Sequence, residues 1–557
     1  MKLNDVYRKD GYLIIDTDEG VRKQSLRWSG VDALEKKCIN LIGKKIVHFT
    51  YGDWSRDVWF SDIEEVIDKS SIDESNGVAD HINLPIGLKF ESHKVTKIYG
   101  PPGTGKTKAL IDIVKKHIAN GTKPENIAFV SFTNAAADEA KLRVAEEFPH
   151  MGAISFPNFC TLHSLATRVG GALNKVLCQA EHIKQFDKLI RCEFEWIRQG
   201  DATSAVDRFK HPIMNQYCLA LARCENFKPI ATSGAINALA TYYNKDEKDI
   251  ANNFEKYANG YIDNYRNFKR EANLVDFNDV IINITFPEFE DRLPTFDLLI
   301  IDEAQDLSDL QWGMVRKLIS RAKETYVAGD DDQAIMINFG ASSHAFLELD
   351  GEEKSLPKSF RVPKEVSDYV NKGVMPLLKK IKNRKDKDWL PADHSGNLIS
   401  LSDKTYKSES GIELHYEYDI NELLNEVKRR CNEEWLLLAP TKETGKSISI
   451  GLSNLRIPHF YRNRPQAGAN SDTMINIRTI HTAKGLGADN VAVIADGMGD
   501  IAMLGGDPRL AYVALTRAKK MLYPRVLRRG LLPQMLNLKN GDLPQLARQY
   551  MQMFPEV

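Results

Sequence analysis

The chain has no excess of charge of either sign: 75 lysines and arginines stand against 76 aspartates and glutamates. That excludes a global positive field, so any polyanion would have to be met by local patches. Cysteine is sparse, with seven residues and no Cys-x-x-Cys pair. This argues against a disulfide framework or a thiolate zinc site and fits a reducing compartment. No apolar run approaches the roughly 18 residues needed to span a bilayer. The opening Met1-Lys2-Leu3-Asn4 leads into charged residues and not into a signal-peptide core. Repeats and low-complexity tracts are lacking as well. What these absences leave is a cytoplasmic chain of ordinary globular composition. At 557 residues it is too long for one core, so about three to five domains or subdomains are expected.

Residues 1–94 read differently from the rest. Short aromatic and β-branched runs at 11–15, 45–50 and 58–60 predict strands, and 70–77 is a polar linker candidate. A small β-containing accessory domain is expected there. Trp28, Trp54 and Trp59 either fill its core or stack on nucleic-acid bases. Beyond it, residues 95–345 predict an α/β domain with a helical insertion at about 170–275, and 346–557 a second α/β domain. The continuous apolar runs at 127–131, 296–301, 435–438 and 491–494 read as buried parallel strands.

The chemistry concentrates at the ends of these strands. Val95–Tyr99 is followed by Gly100-Pro101-Pro102-Gly103-Thr104-Gly105-Lys106-Thr107 and then by an apolar-periodic helix. Strand, glycine loop and helix is the context of a phosphate-binding loop: backbone N–H groups face phosphate oxygens and the helix N-terminus adds its dipole. Lys106 would reach the β- and γ-phosphates of ATP, and the Thr107 hydroxyl would ligate Mg²⁺. Asp302 ends a central strand, where its carboxylate can hold the metal, and Glu303 can deprotonate the attacking water. Gln333, after three aspartates, carries a neutral amide able to report on the γ-phosphate. Arg361 and Arg517 are candidate arginine fingers, since a guanidinium forks onto phosphoryl oxygens.

Taken in order, these motifs resemble superfamily 1 DNA helicases of the UvrD/Rep kind. The match extends through Ser131–Ala140, Cys160–Ala166, Asp276–Asp279, Asp302–Asp306, Gly329–Ile335, Ser359–Arg361, Thr479–Leu486 and Arg509–Ala518. It covers roughly residues 95–525 and leaves 1–94 uncovered. The resemblance implies two RecA-like motor domains with ATP and Mg²⁺ between them, and movement in the 3′→5′ direction along single-stranded DNA or into a tailed duplex. It also implies DNA contacts at Phe132, Thr133, Asn134, His163, Thr479 and His481, with Phe360 stacking on the base of ATP. It points to a prokaryotic or phage-infected cell.

Four departures from the family pattern stand out. Residues 82–97 contain no glutamine to read adenine. Gly487 occupies the place of a glutamate expected at the nucleotide sugar. Met336 and Asn338 replace the usual aromatic grip on DNA, leaving Phe339, one residue on, as the candidate. Residues 462–473 allow only a short loop where relatives carry a large helical insertion. Outside the motifs, the basic run Lys379–Lys385 is either a phosphate-binding patch or a solvated face, and Arg525, Arg528 and Arg529 pose the same alternative. Three functions therefore remain open: a DNA helicase, a translocase that strips proteins without useful unwinding, and a nucleotide-gated module acting on a protein partner through residues 1–94.

Overall fold

The structure is a computed structural model. It describes residues 95–555 apart from 132, 149–155, 174, 180–181, 184, 187–195, 198–207, 210, 400–404, 408–412, 416–418, 529–530 and 532–541. Within the first 94 residues it describes strands alone. Two compact units divide the chain, Met1–His81 and Ile82–Val557.

In the first unit Leu3–Lys9, Tyr12–Thr17 and Gly20–Ser25 form an antiparallel three-stranded sheet. Ile46–Phe49 pairs with Asp62–Glu65, and Asp53–Trp54 with Asp57–Val58. Trp28, Trp59 and the linker candidate at 70–77 lie outside the described residues, as does the segment 82–94.

The second unit is built on two largely parallel sheets. The first contains β1 (Val95–Tyr99), β2 (Ile127–Ser131), β3 (Phe159–Thr161), β4 (Phe296–Ile301), β5 (Ala322–Gly329) and β6 (Glu352–Ser355). Its order is β3-β2-β4-β5-β1-β6, all parallel. A sheet covered by helices on both faces needs apolar side chains at every position, and β4 shows the result. Leu298 and Ile300 join Leu110, Ile111 and Val114 of the helix Lys106–Ala119 on one side. Leu299 and Ile301 join Leu310, Met314 and Leu318 of the helix Asp309–Ser320 on the other.

Within the stretch read as a helical insertion lie Pro212–Ala222, Ser233–Tyr243, Glu247–Asn252 and Phe254–Glu271. Val176–Leu177 pairs in parallel with Leu274–Val275, so the chain returns beside the point where it left.

The second sheet contains β7 (Asn397–Leu398), β8 (Trp435–Ala439), β9 (His459–Tyr461), β10 (Arg464–Gln466), β11 (Ile475–Thr479), β12 (Ala488–Ala495) and β13 (Ala518–Leu527). Its order is β7-β13-β12-β8-β11-β9-β10, parallel except for the β9–β10 hairpin. Here too alternate residues of β8 serve two cores: Leu436 and Leu438 one, Leu437 and Ala439 the other. The β9–β10 hairpin stands where the sequence leaves room for only a short loop in place of the family's helical insertion. No helix among the described residues is long and apolar enough to cross a membrane.

Candidate ATP site and strand-facing surface

Parallel strands deliver their C-terminal ends to one edge of a sheet. In the first sheet β1 leads into the glycine loop, β4 into Asp302 and β5 into Asp330–Gln333. Gly103 and Gly105 have φ of +75° and +79°, a region glycine enters without penalty. A Cβ at Gly103 would stand 2.5 Å from the Arg361 Cβ and 2.7 Å from the Ser359 Oγ. The loop and the segment Ser359–Arg361 are thus packed to the limit. Ser359 Oγ donates to the Pro102 carbonyl at 2.9 Å, and Phe360 N donates to the Gly103 carbonyl at 2.8 Å.

Behind the loop, Lys106 Nζ donates to the Gly100 carbonyl at 2.6 Å, and Thr107 Oγ1 donates to Asp302 Oδ2 at 2.7 Å. Burial pulls the Lys106 ammonium below its ordinary value. Burial, then the adjacent Glu303, push the Asp302 carboxyl up to about 6. Glu303 has φ +54°, strained for a residue with a side chain, and its N–H donates to Asp302 Oδ1 at 3.0 Å. Burial works against its ionisation, but Lys484 and Lys106 outweigh that and hold Glu303 below the usual carboxylate range.

The second half of the chain closes the far side. Arg517 is fully buried and donates to Gln333 Oε1 at 3.0 Å, to the Val513 carbonyl at 2.8 Å and to the Leu486 carbonyl at 3.2 Å. Arg361 Nη1 approaches the same Leu486 carbonyl at 3.4 Å. Burial, and then the neighbouring Arg361, lower the Arg517 pKa. Two guanidiniums converging this way favour an incoming anion. A cavity of about 440 Å³ results. It is lined by Gly103–Thr107, Asp302, Glu303, Gln333, Phe360, Arg361 and Arg517. Phe360 is 72% exposed at its mouth. Gly100, Pro101 and Pro102 form the base of the loop and do not line the cavity.

Two matches decide the family. Residues 88–354 match the UvrD/REP helicase N-terminal domain, and residues 240–527 the UvrD-like helicase C-terminal domain. The chain belongs to the UvrD-like helicases. Among its relatives is a probable DNA helicase of Mycoplasma pneumoniae, 24% identical over 77% of this chain and 80% of that protein. The ATP-dependent DNA helicase PcrA of Bacillus subtilis is 26% identical over 54% of this chain and 39% of its own length. The ATP-dependent DNA helicase Rep of Buchnera aphidicola is 26% identical over 43% of this chain and 36% of its own. The chain therefore spans most of the mycoplasma protein but less than half of PcrA or Rep.

The residues expected to touch DNA fare unevenly in this UvrD-like chain. Thr133 caps the helix Asn134–Glu147 by accepting from Ala136 N at 3.2 Å, and Asn134 is exposed at its start. Phe132 lies outside the described residues. Thr479 is buried with its hydroxyl 3.0 Å from that of Thr482, and His481 is half-buried. Two of them are buried side chains. His163 is 6% exposed and lies edge-on to Phe277 at 5.4 Å, and burial holds its pKa down at about 4. Phe339 is 5% exposed among Met336 and Ala341, edge-on to His481 at 5.9 Å. Both rings pack against neighbouring side chains of the protein.

The basic run divides. Lys379, Lys380 and Lys382 are exposed, whereas Arg384 forks onto Asp332 and Lys385 pairs with Glu353 at 2.5 Å. Arg525 is buried and donates to the Phe554 carbonyl at 3.1 Å, so it anchors the C-terminal helix Asp542–Met553. Arg528 is exposed, 3.6 Å from Asp496, and Arg529 lies outside the described residues.

The sequence reading gave no role to Lys484, which meets Asp306 at 2.5 Å, the Gln333 carbonyl at 2.7 Å and Glu303 at 3.9 Å. Nor did it notice Gln305, which donates to Glu303 at 2.6 Å and accepts from Asp330 N at 2.9 Å. Gln305 stands within Asp302–Asp306 and Lys484 within Thr479–Leu486, so proximity to Glu303 and His481 in the sequence was the available signal.

Proposed function

We propose that this chain is an ATP-dependent DNA helicase that moves 3′→5′ on single-stranded DNA and couples hydrolysis to strand separation. The observation that carries this reading is the convergence of Lys106 and Thr107 from the first sheet with Arg361 and Arg517 from the second half on one cavity. A site shared between two halves closes when phosphate draws the guanidiniums in and relaxes when it leaves. Relatives bearing the name ATP-dependent DNA helicase support the same reading.

In this scheme the loop amides and Lys106 hold the phosphates, and Phe360 packs on the base. Thr107 and Asp302 present hydroxyl and carboxylate oxygens side by side, a hard donor pair that suits Mg²⁺. Bound there, Mg²⁺ would neutralise charge on the β- and γ-phosphate oxygens. Glu303, kept ionised by Lys484 and Lys106, accepts the proton of the attacking water. Arg361 and Arg517 neutralise the charge spreading over the transferred phosphoryl group, and Gln333 reports its presence.

Steady-state ATP hydrolysis without nucleic acid, with single-stranded DNA and with single-stranded RNA tests the proposal, with Glu303→Gln as the blank. Strong stimulation by DNA is expected. Equal stimulation by RNA would widen the substrate class, and indifference to both strands would refute the motor. A second reading, translocation that displaces proteins without productive unwinding, is favoured by the short β9–β10 hairpin in place of the family's helical insertion and by the burial of Phe339. Hydrolysis stimulated by DNA without unwinding of a 3′-tailed duplex would select it.

A further inference from the structure

Lys387 lies just beyond the basic run and its side chain is 2% exposed. Its ammonium meets three successive carboxylates: Asp330 at 2.8 Å, Asp332 at 3.0 Å, and Asp331 in direct contact. Arg384 forks onto Asp332 at 2.7 and 2.9 Å, and Lys385 N donates to Asp331 at 2.9 Å. An ammonium has three protons, and here each finds a carboxylate. Burying this many charges is a poor route to stability, because desolvation offsets most of the attraction. Such clusters are better understood as devices that fix a register or a switch.

The cluster is tied to the ATP site at one point. Asp330 turns one oxygen to Lys387 and the other to Gln333, whose Nε2 donates to it at 2.6 Å. Gln333 Oε1 accepts from Arg517 at 3.0 Å. The second half of the chain thus holds one end of this amide directly through Arg517 and reaches the other through Asp330, which Lys387 grips. Lys387 sits between Leu378 and Trp389, which pack into the second half's core. Trp389 lies edge-on to Tyr512 at 5.7 Å, on the helix Pro508–Leu515 that ends two residues before Arg517. From the same helix Arg509 Nε donates to the Asp331 carbonyl at 3.1 Å. Four contacts and two short stretches of chain (387–389 and 512–517) close a circuit from Gln333 through Asp330, Lys387, Trp389, Tyr512 and Arg517 back to Gln333.

We propose that Lys387 is a positioning residue that holds Gln333 through Asp330 and thereby couples the phosphate-sensing amide to movement of the second half. The proposal rests on the reading of the site as a DNA-stimulated ATPase.

Hydrolysis by the full chain, with and without single-stranded DNA, is compared for Lys387→Gln, Lys387→Arg and Asp330→Asn. In Lys387→Gln the KM for ATP should stay within about twofold while DNA-stimulated kcat falls about tenfold, and Lys387→Arg should recover most of it. A kcat within twofold of the unmodified chain would overturn the proposal. So would KM and kcat worsening together without rescue by arginine, the mark of a merely structural lysine. If Lys387→Gln does not fold, the isosteric Asp330→Asn decides: the same selective loss of kcat supports the proposal and an unchanged kcat overturns it. If the unmodified chain is not stimulated by DNA, the functional reading fails and the proposal with it. Stimulation that survives in every variant removes the Lys387 proposal alone.

Discussion

A Cβ at Gly487 would lie 3.1 Å from the Arg517 carbonyl and 3.2 Å from Arg361 Nε. The space a side chain would need where the family carries a glutamate is thus taken up by the arginine pair, and Gly487 offers no side-chain carboxylate to accept a hydrogen bond from a sugar hydroxyl. A site that does not bond a hydroxyl cannot strongly reject its absence. Comparable kcat/KM for ATP, dATP and GTP is expected, and a strong preference for ATP in parallel assays would contradict it. His163 makes a second residue-scale case. Its Nδ1 has no hydrogen-bond partner among the described residues, and burial lowers its pKa from 6.5 to about 4. The folded state therefore binds fewer protons than the unfolded state between those values, so stability rises with pH across that window. The contribution is full above about pH 6.5 and is lost as pH falls towards 4, on the order of 3 kcal/mol in all. Urea midpoints measured from pH 7 to pH 4.5 should fall, and His163→Gln should flatten that fall.

At the scale of elements, the contact between the phosphate loop and Ser359–Arg361 depends on one hydroxyl. Ser359 Oγ donates to the Pro102 carbonyl and accepts from Arg361 N at 3.2 Å and Val362 N at 3.0 Å. Ser359→Ala leaves these buried groups without their partner, at a cost of about 1–3 kcal/mol. Because the loop and Arg361 share that anchor, the KM for ATP should rise at least about fivefold. An unchanged KM with a lower melting temperature would assign Ser359 to stability alone. The parallel strands and the phosphate loop were legible in the sequence because their signals are local: Phe296–Ile301 is apolar at nearly every position, and the glycine loop follows a strand directly. The burial of Phe339 was not legible because its neighbour His481 is remote in sequence, and no pattern around residue 339 announces that contact. Arg384 and Lys387 were hidden for the same reason. A basic stretch reads as a solvated face until the fold sets Asp330–Asp332 against it.

At the scale of the molecule, a near balance of charge means that affinity for a polyanion must be local. The fold also removes cations from the account. Arg384, Lys385 and Arg525 are bound to partners inside the chain, and Lys106, Lys484, Arg361 and Arg517 belong to the ATP site. Of the basic run, Lys379, Lys380 and Lys382 remain exposed, just after the short helix Met375–Leu378. If they face phosphates of a single strand, each contact releases counterions and adds about 0.7 to the slope of log K against log salt. Charge reversal of all three to glutamate should weaken binding to a single-stranded oligonucleotide, and on that basis the slope should become shallower by up to about 2. Since none of the three lines the ATP cavity, hydrolysis without DNA should stay within about twofold, while the DNA concentration giving half-maximal stimulation rises. Fluorescence anisotropy across a salt series measures the first effect and coupled ATPase titrations the second. An unchanged slope would return the three lysines to the solvated face and leave the strand to the helix start at Thr133 and Asn134 and to the half-buried His481.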